Sequence, residues 1–559
     1  MEKKWWKEAV IYQVYPRSFQ DSNGDGVGDI PGIISRLDHL EKLGIDVLWL
    51  GPVYPSPNDD NGYDISDYLN IMEEFGTMAD WENLLNESHS RGMKLVMDLV
   101  VNHSSDEHPW FIESRKSKDN SYRDFYFWKP PKPDGSEPSN WESCFGGPAW
   151  EYDEKTGEYY FHHFSKKQVD LNWENPNVRS EIWDIMRFWL DKGIDGFRMD
   201  VINHISKEPG FPDIPGEPGK IYPPENYIVD GPKVHDYLRE MNTEVLSKYD
   251  VMALGECPGT TVEQASLYTD QKRNELDMVI HFELVEIDAG ADGKWWVQPY
   301  TLPDMKRLIT RWEDGLHGKG WNTWYMNNHD QPRMLSQFGD DKTYRKESAK
   351  LLATLMHTLE GTPFVYQGEE IGMTNAYFDD ISQYRDVESL NMYKIFQERH
   401  GLSKEETIAK LQKKSRDNSR TPMQWTSEKN AGFTTGKPWI DINPNRAEIN
   451  VESDYKDPDS IFHYYRKLIQ LRKNYPVIVY GRYELLEEEH PRLYVYIRTL
   501  AETGEKLLVV LNYSAENESY KLPDPFQSAE LLLSNYDRSG EEQNVSLEPY
   551  EARVYYLKK

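Results

Sequence analysis

The feature that most constrains this chain is its alternation of short apolar runs with amphipathic helical stretches. Strand-like runs fall at residues 9–16, 45–52, 93–101, 196–201, 251–256, 275–282, 322–326 and 362–366. Between most of them lie helical patterns, such as 31–43, 178–192 and 346–359, with Pro31 suited to a first helical turn. Apolar strands separated by amphipathic helices predict a parallel sheet covered on its outer face. Eight strands are the number that closes a (β/α)8 TIM barrel. The alternative, an open doubly wound sheet, calls for a glycine-rich phosphate turn after the first strand, and residues 17–30 do not supply one.

Two stretches interrupt the alternation. Residues 104–174 are too long for a connection in such a barrel and are rich in Tyr, Trp, Pro and Gly, which predicts a small inserted domain. Residues from about 374 to 460 form a second excursion, with a charged helical stretch at 402–414. From about 479 the pattern changes to short alternating runs at 477–483, 493–499, 506–511 and 552–557, which predicts a C-terminal antiparallel β-sandwich. The expected division is 1–103 and 175–478 for the barrel, 104–174 for the insert and 479–559 for the terminal β domain.

Charge and cysteine content narrow the function classes. A formal net charge of −31 and a pI near 4.9 argue against nucleic acid or an anionic membrane as partner. Two cysteines, Cys144 and Cys257, exclude a disulfide framework. No run reaches membrane-spanning length, and residues 1–7 lack the apolar core of a signal peptide, so a cytoplasmic enzyme is expected. A monomer or weak homodimer is expected, with a small oligosaccharide as its partner.

The active site of such a barrel lies at the C-terminal ends of its strands. Those ends carry Asp98, Asn102 and His103, then Arg198 and Asp200, then Glu256, then Asn327-Asn328-His329-Asp330. Any one of these could be a satisfied structural group. Several at equivalent strand ends are hard to explain by packing alone. Arg198 and Asp200, two apart on a strand, leave on the same face, where the guanidinium is expected to lower the carboxyl pKa. Glu256 follows the apolar run 251–254, where burial is expected to raise its pKa. An ionised carboxylate to attack an anomeric carbon and a protonated one to feed the leaving oxygen are the apparatus of glycoside hydrolysis. Asp330 could support the positive charge of the transition state.

Asp98-Leu99-Val100-Val101-Asn102-His103, the stretch 196–201, Gly255-Glu256 and Asn328-His329-Asp330 resemble the four signature regions of the α-amylase superfamily, glycoside hydrolase family 13. Gln168-Val169-Asp170-Leu171-Asn172-Trp173 resembles a further region of that family. Within it, the chain looks most like bacterial oligo-1,6-glucosidases and neighbouring α-glucosidases. The resemblance implies a retaining mechanism with Asp200 as nucleophile, Glu256 as acid/base and Asp330 as transition-state stabiliser. It implies that His103, Arg198 and His329 bind the terminal sugar, that Asp60 and Tyr63 close the pocket, and that Arg416 blocks longer chains. Phe164 and Gln168 match pocket-wall positions. A blocked pocket implies exo-action. Val201, directly after the nucleophile, implies preference for α-1,6 over α-1,4 bonds. Val169 departs from the proline usual there and is expected to loosen that loop.

Asp21-Ser22-Asn23-Gly24-Asp25-Gly26-Val27-Gly28-Asp29 spaces oxygen donors at alternate positions, as at the start of a calcium loop. It is not an EF-hand, because Gly32 stands where the closing glutamate would be. The plain alternative is an Asx-rich turn capping the next helix. A structural Ca²⁺, or Mg²⁺, is expected on Asp21, Asn23, Asp25, Asp29 and the Val27 carbonyl, and family resemblance supports it. No organic cofactor is expected.

Competing activities share the machinery. A broad α-glucosidase or sucrase is the main alternative. A sucrose isomerase is expected to carry an arginine-rich loop where this chain has Glu286-Ile287-Asp288-Ala289-Gly290. A trehalose-6-phosphate hydrolase needs a cationic phosphate site, and no basic cluster is evident. A non-catalytic, transporter-associated relative would lack the carboxylates that this chain keeps.

Overall fold

A computed structural model describes residues 2–538 and 544–558. Eight strands form one sheet: β1 (Ile11–Val14), β2 (Val47–Leu50), β3 (Lys94–Leu99), β4 (Gly196–Met199), β5 (Met252–Glu256), β6 (Met278–Ile280), β7 (Thr323–Trp324) and β8 (Thr362–Tyr366). Their order is β6-β5-β4-β3-β2-β1-β8-β7, with every pairing parallel. A parallel bridge between Val279 and Asn322 joins β6 to β7 and closes the barrel. Seven of the eight strands are shorter than their apolar runs, because the run continues into the buried turns at the strand ends; β8 coincides with its run. Gly196 has φ +149°, and a Cβ there would lie 2.2 Å from the Met252 carbonyl oxygen, so β4 and β5 meet closely only because this residue is glycine.

The helices follow the periodicity. Pro176–Asp191 buries Val178, Ile182, Trp183, Ile185, Met186, Trp189 and Leu190 on one face. The pattern at 31–43 is two helices, Ile30–Ser35 and Leu37–Leu43, broken at Arg36. Residues 103–170 carry a two-stranded pairing, His103–Ser105 with Gln168–Asp170, and a three-stranded sheet of Trp128–Lys129, Glu158–Phe161 and Trp150–Asp153. Val169 is fully buried opposite Ser104, so the departure from proline leaves that segment pinned.

Past the barrel, Arg482–Leu486, Leu493–Thr499, Lys506–Asn512, Ala552–Leu557 and Glu530–Ser534 form an antiparallel sheet. It packs against the pair Glu518–Lys521 and Asn544–Leu547 through Leu493, Val495, Leu508, Val510, Tyr520 and Val545. The expected strand at 477–483 is instead the helix Pro476–Tyr480 followed by a strand from Arg482. Pro476 is preorganised for a first helical turn and overrides the β-branched composition that follows it.

Candidate active site

Register builds the centre of the site. Asp98 on β3 and Arg198 on β4 are direct partners in the parallel pairing, and Leu254 on β5 is the next partner of Arg198. Facing residues on adjacent strands share a side, so Asp98, Arg198, Asp200 and Glu256 converge at one end of the barrel. Arg198 is fully buried. Its Nη1 donates to Asp98 Oδ1 at 2.5 Å and to Asp200 Oδ1 at 2.7 Å. Its Nη2 meets Glu256 Oε1 as an ion contact that is off hydrogen-bond alignment. Asp98 is held in turn by Trp49 Nε1 at 2.8 Å and by the Tyr63 hydroxyl at 3.4 Å.

Val201 follows Asp200 with φ +34° and ψ +45°. A β-branched residue in this left-handed region is strained, and such strain gathers at functional sites. The conformation turns the Val201 N–H onto Glu256 Oε2 at 3.1 Å. Glu256 is therefore held through Oε2, while Oε1 makes no aligned hydrogen bond.

The electrostatics depart from the sequence expectation at one point. Burial pushes Asp200 up to about 7, although Arg198 pulls it down, and Asp98 and Asp330 push it further up. One guanidinium shared among three carboxylates does not offset their desolvation, so Asp200 is not held below the ordinary range. Burial also raises Glu256, to about 8, against the pull of Arg198. Both carboxyls are thus raised toward neutrality and titrate as an interacting pair.

Asp330 sits in a different field. Burial opposes its ionisation, but His329, Arg416 and Arg420 outweigh it and hold the carboxyl well below the usual range. Arg420 Nη2 lies 2.8 Å and Arg416 Nη1 3.2 Å from Asp330 Oδ1, and His329 Nε2 lies 3.1 Å from Oδ2. Gln13 Nε2 donates to His329 Nδ1 at 2.7 Å, which leaves the ring proton on Nε2, toward Asp330.

Asp60, Tyr63, His103, Phe164, Gln168, Val201 and Arg416 line one cavity of about 600 Å³ with Asp200, Glu256 and Asp330, while the predicted Arg198 and His329 are fully buried and not part of its lining. Arg416 Nη2 is 2.8 Å from Asp60 Oδ1. Gln168 Nε2 donates to Asp60 Oδ2 at 3.1 Å. His103 Nε2 lies 3.0 Å from the Tyr63 carbonyl oxygen, and the Tyr63 ring stacks on His329 at 5.0 Å and 6°. Phe164 packs on His103 and Phe145. Cys257 is buried and burial raises its thiol well above the ordinary value, so it is inert.

Sequence reasoning missed several contributors. Asp386, fully buried, accepts from Arg416 Nε at 2.8 Å and Nη2 at 2.5 Å and so fixes the arginine that meets Asp60. Lys294 and Glu388 line the cavity as an ion pair at 2.7 Å, with Trp295 Nε1 donating to Glu388 at 3.1 Å. Asp386 and Glu388 lie within the excursion that carries Arg416, and Lys294 lies in the connection after β6; no local pattern marks them. Arg420, in the stretch Arg416-Asp417-Asn418-Ser419-Arg420, was the one readable signal.

The 21–29 loop lies apart from the cavity lining. Asp21 Oδ1 accepts from Asn23 N at 2.9 Å and Gly24 N at 2.7 Å. Asn23 Oδ1 accepts from Asp25 N and Asp25 Oδ1 from Val27 N, both at 2.8 Å. Asp29 caps the helix Ile30–Ser35 through Gly32 N at 2.6 Å. Among the described residues no three His, Cys, Asp or Glu side chains gather to hold a metal. Asp21, Asn23, Asp25 and Asp29 thus each accept a backbone N–H within the loop and its following helix, the pattern of an Asx-rich turn.

Comparison with known proteins gives a consistent neighbourhood. Residues 13–481 match the α-amylase family model, described as the alpha amylase catalytic domain. The chain is 60% identical to the oligo-1,6-glucosidase of Parageobacillus thermoglucosidasius over all of both chains. It is 60% identical to the oligo-1,6-glucosidase of Halalkalibacterium halodurans over 99% of each. The crystal structure of Bacillus licheniformis trehalose-6-phosphate hydrolase superposes with a TM-score of 0.93 at 51% identity, covering 100% of both chains.

Two buried carboxyls with values near 7 and 8 give a pH dependence with a definite sign. Activity should fall on the acid side as Asp200 gains a proton and on the alkaline side as Glu256 loses one, so kcat/KM should peak between. A profile flat from about pH 5 to about pH 9 would overturn the assignment of these two groups. Asp200→Asn should lower kcat by more than about 10³-fold while the melting temperature stays near wild type. Wild-type-like turnover in that variant would end the scheme.

Proposed function

The chain belongs to the α-amylase family of glycoside hydrolases, and on that premise we propose that it is an exo-acting, retaining α-glucosidase that releases glucose from the non-reducing end of α-1,6-linked isomalto-oligosaccharides. The observation that carries this reading is the Asp60–Arg416 pair beside Asp330, in a cavity that also contains Asp200 and Glu256. A pair of buried, crossed charges at the glucose end leaves no path for a longer chain, so one sugar enters and the bond behind it is cut.

In this scheme Asp200, the first of the pair to ionise, attacks the anomeric carbon. Glu256, the later one, gives its proton to the leaving oxygen. It then accepts a proton from the water that releases glucose from Asp200. Asp330, fixed as an anion, stabilises the positive charge that develops on the ring. His103, His329 and Arg416 present donors to sugar hydroxyls, with Tyr63 and Phe164 as aromatic walls.

Val201 supports the linkage preference, because its side chain lines the cavity next to Asp200 and Glu256. The phosphorylated-substrate alternative fits less well. The lysine and arginine lining the cavity are Lys294 and Arg416, and each is already paired with carboxylates. The histidines His103, His163 and His204 are all shifted down by burial and are neutral at pH 7.

Three further readings go with this function. A structural Ca²⁺ is proposed on Asp21, Asn23, Asp25, Asp29 and the Val27 carbonyl, supported by the donor chemistry of the loop. A cytoplasmic setting is supported by Cys144 and Cys257 being unpaired. No helix among the described residues is long and apolar enough to cross a membrane. The exposed large apolar side chains there, Leu69, Ile112, Tyr152, Leu267, Val297 and Tyr377, come from separate elements, which supports a monomer or weak homodimer.

Initial rates on isomaltose, maltose, sucrose and trehalose-6-phosphate test the reading, with isomaltose expected to dominate. Rates on maltose or sucrose equal to or above that on isomaltose would move the enzyme to the broader α-glucosidases. Val201→Thr should lower the isomaltose-to-maltose ratio of kcat/KM about tenfold. An unchanged ratio would show that Val201 does not set the linkage. A chelator should lower the melting temperature and release metal from the purified protein. If neither changes, the calcium proposal fails.

A further inference from the structure

We infer that Glu286 sets a charge preference for the leaving group, selecting against anionic aglycones and for neutral or cationic ones. The inference rests on the glycosidase reading above and adds a determinant to it.

Glu286 follows β6, in a turn fixed by its own N–H donating to the Phe282 carbonyl at 3.0 Å and by Ala289 N–H donating to the Glu286 carbonyl at 2.8 Å. Its side chain lines the catalytic cavity with Phe282, Gly290, Lys294 and Trp295. Glu256 on β5 pairs directly with Ile280 on β6, and Glu286 follows six residues later in the connection beside the acid, whereas Asp60 and Arg416 come from the connections after β2 and β8. Glu286 therefore stands on the side of the cavity where Glu256 hands over its proton, away from the Asp60–Arg416 end. That is the side the leaving group occupies.

Its neighbours leave it uncompensated. Lys294 is spent on Glu388 at 2.7 Å, and Lys414 on Asp288 at 2.6 Å. Arg416 is spent on Asp60, Asp330 and Asp386. Glu286 has no ion-pair or side-chain hydrogen-bond partner among the described residues, and it is open to solvent within the cavity. Burial by the walls raises its pKa, against the pull of Lys294 and Lys414, while Asp288 and Glu388 push the same way as burial. A second carboxylate without such a partner, Glu225, lines the cavity from the helix Glu225–Ile228. An uncompensated charge in a cleft with low-dielectric walls acts on a ligand more strongly than the same charge on open surface. Discrimination then comes from repulsion of the wrong partner as much as from attraction of the right one.

The test uses three aryl α-glucosides that differ at the para position: trimethylammonium, carboxamide and carboxylate. Each enzyme supplies its own ratio of kcat/KM for the cation over the anion, and comparison between enzymes cancels leaving-group chemistry. The ratios are read at the alkaline end of the activity range, because burial raises the Glu286 pKa and the preference needs the ionised carboxylate. Wild type should favour the cation, and raising the salt from about 0.05 M to about 1 M should compress the ratio. Glu286→Gln should lower the ratio about five- to tenfold, and Glu286→Lys should invert it. Glu225→Gln should lower it less. A ratio unchanged in Glu286→Gln would overturn the inference. So would an equal drop in Glu225→Gln, which would assign the effect to the general field of the cavity. Glu286→Gln keeps size and polarity, so it decides the matter even if the lysine variant does not fold. A wild type that prefers maltose to isomaltose would overturn the linkage reading and leave this ratio standing.

Discussion

The structure depends on one buried guanidinium. Arg198 has no exposure to water and is shared by Asp98, Asp200 and Glu256. Taking four ionisable groups out of water is costly, and the attraction among them repays this only where geometry is good. Strand register supplies that geometry, because Asp98 and Arg198 are partners across β3 and β4. Removing the arginine would leave buried carboxylates without a cation, and they would meet that cost by taking up protons. The barrel and its chemistry are thus one problem: the pairing that closes β3 onto β4 also places the charge that lets Asp200 ionise near neutral pH.

A second arginine organises the other side of the cavity. Arg416 meets Asp60, Asp330 and Asp386, which come from three separate connections. The two centres differ in their balance of charge. Around Arg198, three carboxylates share one cation, and Asp200 and Glu256 are raised. Around Asp330, Arg416 and Arg420 stand with His329, and that carboxyl is held low. The imbalance separates the roles. The crowded pair can exchange protons within the working range, and the well-supplied carboxylate remains an anion throughout. Protein environments divide identical groups in this way by unequal burial and unequal company.

What was legible in the sequence follows the range of the interactions. The eight strands, the helices between them and the strand-end residues are local patterns, and they were readable. So was the antiparallel terminal domain, except that Pro476 started a helix where Val477, Ile478 and Val479 suggested a strand. Contacts made across the fold were not readable. Asp386 on Arg416, Gln13 on His329 and Lys294 on Glu388 join residues 30, 316 and 94 positions apart. The sign of the Asp200 shift was misread for a related reason. Its neighbour Arg198 is visible in sequence, but complete burial and the competing claims of Asp98 and Glu256 appear only when the strands assemble.

Strain belongs to the same balance. Val201 keeps a left-handed backbone that a β-branched residue adopts only at a cost of about 1–3 kcal/mol. The return is an N–H on Glu256 Oε2, which leaves the other oxygen without an aligned hydrogen bond. A single residue therefore lines the cavity with its side chain and holds Glu256 with its backbone. Substitution at this position cannot alter the aglycone contact without also bearing on the acid. On the proposed function, linkage preference and proton transfer are coupled through one peptide unit. This is why a change of side chain that keeps the Cβ and the backbone conformation is the one that can shift selectivity and spare the chemistry.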